Sequence, residues 1–333
     1  MKNFKPNENF TYFLYFISER MNIFWNKLEN KQPYTEDEIL KQFKFTNVYR
    51  MLDRSSQYLI KNVIYNGVVY SKEEMFWRIM VYKHFNLPST WDLLIEEFGD
   101  INKGITLDMI ADFLVKKIDQ GYTIYSNAYM MTSAFLSGDK GKYTHLKHNK
   151  WRKHQYYFYI FQKELIEQNK IGLILNSKSI EEMFSSISSV VSMGDFTAYQ
   201  YTQDLNYTEF FNFDMNTFCA AGPGTQRGIE RCFDIEGAAN YGEIVKWTYS
   251  HLEELFAGYS KKYEIDLQFR SLPNFSPQVP DLSNCFCETD KYLRGAGITT
   301  VGKEVHGKRI KNTFKESSSK IDFVFPPKFG ISL

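Results

Sequence analysis

The sequence lacks any long apolar run, so it offers no candidate for a membrane span. Such a span needs about 18 consecutive apolar residues, and no segment of the 333 residues approaches this length. The first residues, Met1 to Pro6, lead into a charged amphipathic pattern and do not read as a secretion signal. We therefore expect an intracellular protein that makes no contact with a membrane.

Cysteine is scarce, and its spacing does not indicate a metal centre. The four cysteines are Cys219, Cys232, Cys285 and Cys287, and a single residue separates the last two, unlike a zinc-binding pair. A four-cysteine site would require the two pairs to meet in space. We expect reduced thiols, no metal and no cofactor.

The chain also has no excess of charge of one sign, because its net charge is +1. Any affinity for nucleic acid must therefore come from local patches of positive charge.

What the chain does contain is a dense series of helix signals. Capping-box patterns start at Thr35, Ser71 and Ser179. Each has a Glu three residues later and is followed by a run of apolar residues at helical spacing. Helices are predicted at 8–30, 36–43, 47–63, 71–85, 89–98, 106–120, 144–169, 179–188, 195–205, 225–235, 240–257 and 283–294.

The predicted fold class is therefore all-α, with at most a minor β-hairpin around Asn66-Gly67 and a short extended piece at 171–175. We expect a single helical domain of two lobes, about residues 1–190 and 191–295. A basic, partly disordered tail would follow over 296–333.

The segment from Asn47 to Gln57 is rich in side chains with planar hydrogen-bonding groups. If it is helical, Asn47, Arg50, Asp53 or Arg54, and Gln57 lie on one stripe, where apolar residues normally face a core. A polar stripe of this kind indicates a specific ligand, and the edge of a nucleic-acid base fits its chemistry.

A second signal is the sequence Gly222-Pro223-Gly224-Thr225, between two helical patterns. A tight turn here would aim the amides of the next helix at one point, and such amides suit a phosphate. Arg227 would add positive charge. This is how a helix-hairpin-helix holds a DNA backbone, although a plain inter-helix turn explains the same residues.

Two carboxylates are candidates for chemistry. Asp204 shares a helix face with Gln200 and suits a general base, or else a structural ion pair. Glu288 lies one helical turn before Lys291, which suits an acid that stabilises developing positive charge, or else a surface salt bridge.

Basic residues interleaved with aromatics occupy the stretch around Lys150 and Arg152, and suit either a phosphate backbone or a solvated loop. The segment Gly297 to Lys303 resembles a nucleotide-binding loop, but Glu304 replaces the hydroxyl residue that holds magnesium. The chain is therefore not expected to be a P-loop kinase by itself.

Five motifs, in order, resemble the helical domain named after phage 5-hydroxymethyluracil DNA kinases, a clade also called the alpha-glutamyl/putrescinyl thymine pyrophosphorylase family. The resemblance covers about residues 10 to 295. The motifs are Phe45-Thr46-Asn47-Val48-Tyr49-Arg50-x-x-Asp53-Arg54, Ser126-Asn127-Ala128-Tyr129-Met130, Ala198-Tyr199-Gln200-x-x-x-Asp204-Leu205, Gly222-Pro223-Gly224-Thr225-x-x-Gly228 and Cys287-Glu288-x-Asp290-Lys291-Tyr292.

The resemblance implies a two-lobed fold similar to helix-hairpin-helix DNA glycosylases. It also implies a role in the hypermodification of thymine in phage DNA, or glycosylase activity on modified phage bases in bacterial defence. The chain departs from the family in lacking the kinase that gives the domain its name. Its cysteines also do not fit the iron–sulfur spacing of some glycosylases.

Two classes of function stay open. As an enzyme, the protein would flip a base of DNA into a pocket between the lobes, with Glu288 as first and Asp204 as second choice of catalytic acid, beside Lys291. As a non-catalytic module, it would present modified DNA to a separate kinase or transferase. The residues expected to line the base pocket are Asn47, Arg50, Asp53, Gln57, Tyr129 and Gln200, and those expected on the DNA backbone are Gly222, Gly224, Thr225, Arg227, Lys150 and Arg152.

Overall fold

The structure is a computed structural model that describes residues 4–102, 104–126, 142–235, 237, 240–298, 310, 312–315 and 322–333. Its helices in chain order are α1 Phe10–Leu28, α2 Glu38–Gln42, α3 Arg54–Tyr58, α4 Lys72–Phe85, α5 Pro88–Phe98, α6 Leu107–Asp119, α7 Lys153–Phe161, α8 Lys170–Leu175, α9 Ile180–Ser188, α10 Asp195–Leu205, α11 Pro223–Cys232, α12 Tyr241–Ser250, α13 Leu252–Tyr263 and α14 Val279–Gly295.

Shorter elements complete the described chain. Three short 3₁₀ turns and two π-helical segments join or extend the α-helices, at Arg50–Leu52, Thr144–His148 and Pro327–Phe329, and at Leu59–Ile64 and Gln162–Glu167. The strands β1 Lys5–Pro6 and β2 Phe233–Asp234 pair antiparallel. The all-α prediction is confirmed. Among the described residues, no helix is long and apolar enough to cross a bilayer.

The chain divides into two compact units. One, which we call the terminal unit, joins Met1–Arg54 to Met215–Leu333, and the other, the central unit, is Ser55–Asp214. This division differs from the consecutive lobes expected at about 1–190 and 191–295, because the chain leaves the first unit after residue 54 and returns to it at residue 215.

Side-chain caps account for the helix starts that the sequence predicts well. Ser71 Oγ accepts a hydrogen bond from the backbone N–H of Glu74 (3.2 Å), and the Glu74 carboxylate accepts from the N–H of Ser71 (2.9 Å). Ser179 Oγ accepts from the N–H of Glu182 (3.1 Å). The helix predicted after Thr35 instead starts two residues later, because Asp37 caps it at the N–H of Leu40 (2.9 Å).

Several predicted elements are wrong. The single helix predicted over 47–63 is a loop, a 3₁₀ turn, α3 and a π-helical segment, and residues 63–70 do not form a hairpin. Residues 171–175 lie in helix α8 instead of an extended piece. The small sheet that does form pairs residues more than two hundred positions apart, which no local pattern can indicate.

Helix α14 runs through the core of the terminal unit. Phe286 on this helix is fully buried and stacks on Phe13 of α1, with ring centroids 4.1 Å apart. Helix α11 packs closely on α14 at Gly228, where an added Cβ would lie 1.9 Å from the carbonyl oxygen of Phe286. A side chain at this position would force the two backbones apart, so the sequence needs glycine here.

Part of the segment 296–333, for which the sequence predicts a basic and partly disordered tail, packs on other residues of the terminal unit. Phe323 packs on Phe24 and Phe329 packs on Phe275, with ring centroids 5.4 and 4.9 Å apart. Both contacts lie within the terminal unit. The last twelve residues, 322–333, thus contribute apolar side chains to the packing of this unit.

Candidate functional site

A polar stripe does occur in the terminal unit, but it lies on α14. Four side chains at spacings of three, four and three residues face one short segment, residues 44–50. Their hydrogen bonds join Asp281 to the N–H of Arg50 (2.9 Å), Asn284 to the hydroxyl of Thr46 (2.8 Å), Glu288 to the N–H of Thr46 (3.1 Å) and Lys291 to the carbonyl of Lys44 (2.9 Å).

The segment itself is a closed loop, so Asn47, Arg50 and Asp53 do not form the predicted helical stripe. The Asn47 N–H donates to Asp53 Oδ1 (2.8 Å), and Asn47 Nδ2 donates to the carbonyl of Leu52 (2.9 Å). Arg50 is only 3% exposed. These polar groups therefore hold one another in place, which is a use of planar hydrogen-bonding groups that sequence alone does not separate from base recognition.

Two carboxylates cap two successive amides. Glu288 Oε2 accepts from the N–H of Thr46, and Asp53 Oδ1 accepts from the N–H of Asn47. Arg20 of α1 donates through Nε to the carbonyl of Thr46 (3.0 Å). Two carboxylates and one guanidinium, from three separate parts of the chain, thus bind the same short peptide segment.

The two acids have different electrostatic surroundings. Burial raises the pKa of Asp53 to about 6, against the hydrogen bond from Asn47 and the charge of Arg20, and the charge of Glu288 adds to the rise. Lys291 Nζ lies 2.5 Å from Glu288 Oε2 and forms an ion pair with it. Burial also lowers the pKa of Arg20, which Asp53 and Glu288 oppose. With this pKa, Asp53 exchanges a proton close to neutral pH.

Asp281 has a mainly structural position at the start of α14. Its carboxylate accepts from the N–H groups of Gln278 and Arg50, both at 2.9 Å, and so caps the helix and fixes the loop together. Burial raises its pKa to about 6, although these two backbone hydrogen bonds oppose the rise.

Other predicted site residues belong to the central unit. Gln57 is buried, Gln200 is half-buried, and Asp204 is fully buried with its Oδ2 3.2 Å from the ammonium of Lys83. A buried ion pair of this kind is typical of a structural carboxylate. Tyr129 lies outside the described residues. The convergence of these side chains with Glu288 around one base stays a prediction.

The tight turn between two helices predicted near Gly222 is not present, because residues 206–222 contain no helix. Gly222 is the N-cap of α11, and Pro223 is its first residue. Gly224 faces α14, where an added Cβ would lie 2.3 Å from Cys287 Sγ. The Thr225 hydroxyl is buried and donates to the carbonyl of Ser283 (2.9 Å). Helix packing thus explains Gly224 and Thr225, and their contact with DNA stays a prediction.

The basic stretch in the central unit is only partly directed to solvent. Lys150 is exposed, and Arg152 forms an exposed ion pair with Asp119 at 2.8 Å. Lys142 instead pairs with the buried carboxylate of Glu164, and His154 is fully buried. Lys150 and Arg152 are thus both exposed, and their contact with a DNA backbone stays a prediction.

Sequence reasoning missed Arg20, Thr46, Asn284 and Asp281 as parts of the site. The regular spacing of Asp281, Asn284, Glu288 and Lys291 on one helix was available as a signal. Thr46 and Arg20 carry no such signal, since only the folded chain brings them beside α14. Among the described residues, no group of three or more Asp, Glu, His or Cys is placed to hold a metal ion.

The fold and this site describe an all-helical protein with two acids set on successive amides of one loop. The family model for the helical domain of 5-hmdU DNA kinase matches residues 7–300, and the chain belongs to this family. The resemblance noted from the sequence motifs is confirmed.

A curated relative, the 5-hmdU DNA kinase of Bacillus phage SP10, is 23% identical over 334 residues. The alignment covers 94% of this chain and 50% of the relative, so the chain spans half the length of that protein. No solved structure matches.

Proposed function

We propose that this protein acts on a modified pyrimidine base in DNA, with 5-hydroxymethyluracil as the first candidate. The family and the name of the phage relative support this substrate class. The observation that supports an enzymatic role is that two carboxylates, Glu288 and Asp53, accept hydrogen bonds from the successive backbone amides of Thr46 and Asn47.

A carboxyl group whose pKa lies near the working pH is suited to general acid–base catalysis. Asp53, with a pKa of about 6, can take up a proton near neutral pH, while Glu288 is held by Lys291. A base must leave the helical stack to reach such a group, which costs a few kcal/mol. The remaining residues of the loop, Asn47 and Arg50, would then support the pocket wall.

The same pair serves either of two reactions. In glycosidic cleavage, Glu288 would stabilise the positive charge that develops on the sugar, and Asp53 would accept a proton from the attacking water. In group transfer, the nucleophile would form a bond to the methylene carbon of a hydroxymethyl base whose oxygen already carries a phosphoryl group; the carbon–oxygen bond would break, the phosphorylated oxygen would leave, and Asp53 would accept the proton of the nucleophile.

A non-catalytic role is the second candidate, and the hydrogen bonds of Glu288 and Asp281 favour it. Glu288 and Asp281 both bind backbone amides and hold the loop to α14. In this case the protein would bind modified DNA and present it to a separate kinase or transferase.

The test is mass spectrometry of nucleosides from duplex DNA that contains either 5-hydroxymethyluracil or thymine, before and after incubation with the full chain. Glu288→Gln and Asp53→Asn are compared with Glu253→Gln, a matched change at an exposed position of α13. Melting curves establish that each variant is folded.

Loss of product in Glu288→Gln and Asp53→Asn, with DNA binding intact and Glu253→Gln active, supports the enzyme. Selective binding of modified DNA without any product in the wild type supports the module. A wild-type protein that neither binds modified DNA nor changes its bases refutes the proposal as a whole.

A further inference from the structure

The peptide group that joins Thr46 to Asn47 carries a charged side chain at each end. Arg20 Nε donates a hydrogen bond to its carbonyl oxygen (3.0 Å), and its N–H donates to Asp53 Oδ1 (2.8 Å). Because this carbonyl and this N–H belong to one planar, resonance-stabilised group, two hydrogen bonds in series link the guanidinium to the carboxylate. The proposed chemistry uses Asp53 but assigns no role to Arg20.

Such a chain of hydrogen bonds changes the carboxylate at its far end. A cation that donates to a carbonyl oxygen polarises the peptide group, and this makes the N–H of the same group a stronger donor. A stronger donor favours the ionised form of the carboxylate that accepts from it. The planar peptide also fixes the direction from which Asp53 receives this bond. Arg20 can therefore influence both the charge and the orientation of Asp53 without touching it.

The electrostatic surroundings of Asp53 agree with this geometry. Burial raises the pKa of Asp53 to about 6, and the backbone hydrogen bond from Asn47 and the charge of Arg20 oppose the rise, Arg20 more strongly than Arg50. The adjacent Arg54 is exposed. The other groups that interact electrostatically with Asp53 belong to α14 and to the 3₁₀ turn, and they are Glu288, Asp281, Cys285 and Arg50.

We propose that Arg20 is a positioning residue for the base of the reaction: through the peptide group between Thr46 and Asn47, it orients Asp53 and keeps its carboxylate ionised. This inference rests on the proposed function, since Asp53 is the base of that reaction. Arg20 and Asp53 are both half-buried, so Asp53 keeps access to a substrate while Arg20 acts from the opposite end of the peptide. An arginine that only held the loop together would leave the protonation of Asp53 unchanged.

The test compares three replacements of Arg20 that separate its charge from its hydrogen bond. Lysine keeps a donor and the charge, glutamine keeps a donor without the charge, and methionine has neither. Arg270→Met is the matched control, because it is the same change in the terminal unit at a side chain that is 60% exposed. Melting curves verify that each variant is folded.

The first readout needs neither substrate nor activity. The full chain is labelled with carbon-13 at the aspartate carboxyl groups and titrated by NMR, and the Asp53 signal is the one that Asp53→Asn lacks. We expect a midpoint of about 6 in the wild type. In Arg20→Met the midpoint should rise by about one pH unit, because a nearby opposite charge lowers the pKa of a carboxyl group by at least this amount. Arg20→Gln should lie between the two, and Arg20→Lys and Arg270→Met should match the wild type.

The second readout is the pH–rate profile on DNA that contains the modified base. A base must be ionised to accept a proton, so a higher pKa of Asp53 moves the rising limb of the profile to higher pH. For a rise of about one pH unit, Arg20→Met should react roughly threefold more slowly than the wild type at pH 6.5 and at nearly the same rate at pH 8.

The outcomes separate the possible failures. An Asp53 midpoint in Arg20→Met that equals the wild-type value would overturn the inference, and so would a rate that falls equally at every pH. If Arg20→Met does not fold, Arg20→Gln and Arg20→Lys give the same decision, because both donate a hydrogen bond and only one is charged. If the midpoint shifts but the wild type converts no base at any pH, the enzymatic proposal fails while the link between Arg20 and Asp53 stands.

Discussion

The histidine at position 84 allows a quantitative prediction about stability. His84 lies on α4 of the central unit and is 4% exposed, and within the described part of the chain neither ring nitrogen has a hydrogen-bond partner. Aromatic rings surround it, with centroids 4.8 Å away for Phe85, 5.1 Å for Tyr157 and 5.2 Å for Phe158. A buried polar group without a partner costs about 1–3 kcal/mol.

Replacement of His84 by methionine should therefore stabilise the protein at pH 7.5 by about 1 kcal/mol. Methionine has a similar volume, adapts its shape and makes favourable contacts with aromatic rings. The replacement removes two buried polar atoms and leaves the surrounding rings in place.

The pH dependence gives an independent check. Burial lowers the pKa of His84 well below its ordinary value of 6.5, so the unfolded chain binds a proton that the folded chain excludes. Stability is then full above pH 6.5 and falls as the pH drops toward the folded pKa. The loss from this single histidine is about 1.4 kcal/mol between pH 7.5 and pH 5.5.

Urea unfolding at pH 7.5, 6.5 and 5.5 measures this difference. The pKa of His154 is also lowered by burial, so the variant keeps that part of the acid sensitivity. Between pH 7.5 and pH 5.5, the free energy of unfolding of His84→Met should fall by about 1.4 kcal/mol less than that of the wild type. His148→Met, at an exposed position, should follow the wild type. A variant that is less stable at pH 7.5, or that keeps the full pH slope, would refute this reasoning.

Three further predictions concern other sites. Gly228→Ala should destabilise the terminal unit by about 3 kcal/mol or prevent folding, because the added methyl group meets the backbone of α14, whereas Gly258→Ala, in open space on α13, should not destabilise; thermal melting compares them. Burial raises the pKa of Glu164, but hydrogen bonds from two lysines and a tyrosine outweigh it and hold the pKa at about 2. Ionised Glu164 therefore contributes at most about 3 kcal/mol to the free energy of unfolding above pH 4.5, and this contribution is lost as the pH falls toward 2. Glu164→Gln should abolish this part of the loss of stability at low pH, measured by unfolding at several pH values. If Asp53 is the base of the reaction, activity should rise with pH through about 6, and Asp53→Asn should abolish this rise in a pH–rate profile.

Sequence predicts those helices whose ends are set by neighbouring side chains. Ser71 and Ser179 cap their helices as expected, and the helix predicted at 195–205 has the same bounds in the structure. These features depend on contacts within a few residues, which local patterns encode.

The loop from Asn47 to Asp53 could not be predicted in this way. Its hydrogen-bonding partners on α14 lie more than two hundred positions away, and local spacing favours a helix for the same residues. The resemblance identified Glu288 and Asp53 as members of family motifs, but only the folded chain shows that they cap adjacent amides. The roles of Arg20 and Thr46 likewise depend on packing.

The division of the chain has a consequence for its synthesis. The central unit is complete once residue 214 has been made, whereas the terminal unit still lacks α11 and α14 at that point. On the ribosome, the central unit can therefore fold first, while α1 still lacks its packing contact with α14. A nonsense mutation just after residue 214 would therefore yield a chain whose central unit can fold, but whose helix α1 exposes apolar side chains and depends on chaperones to stay soluble.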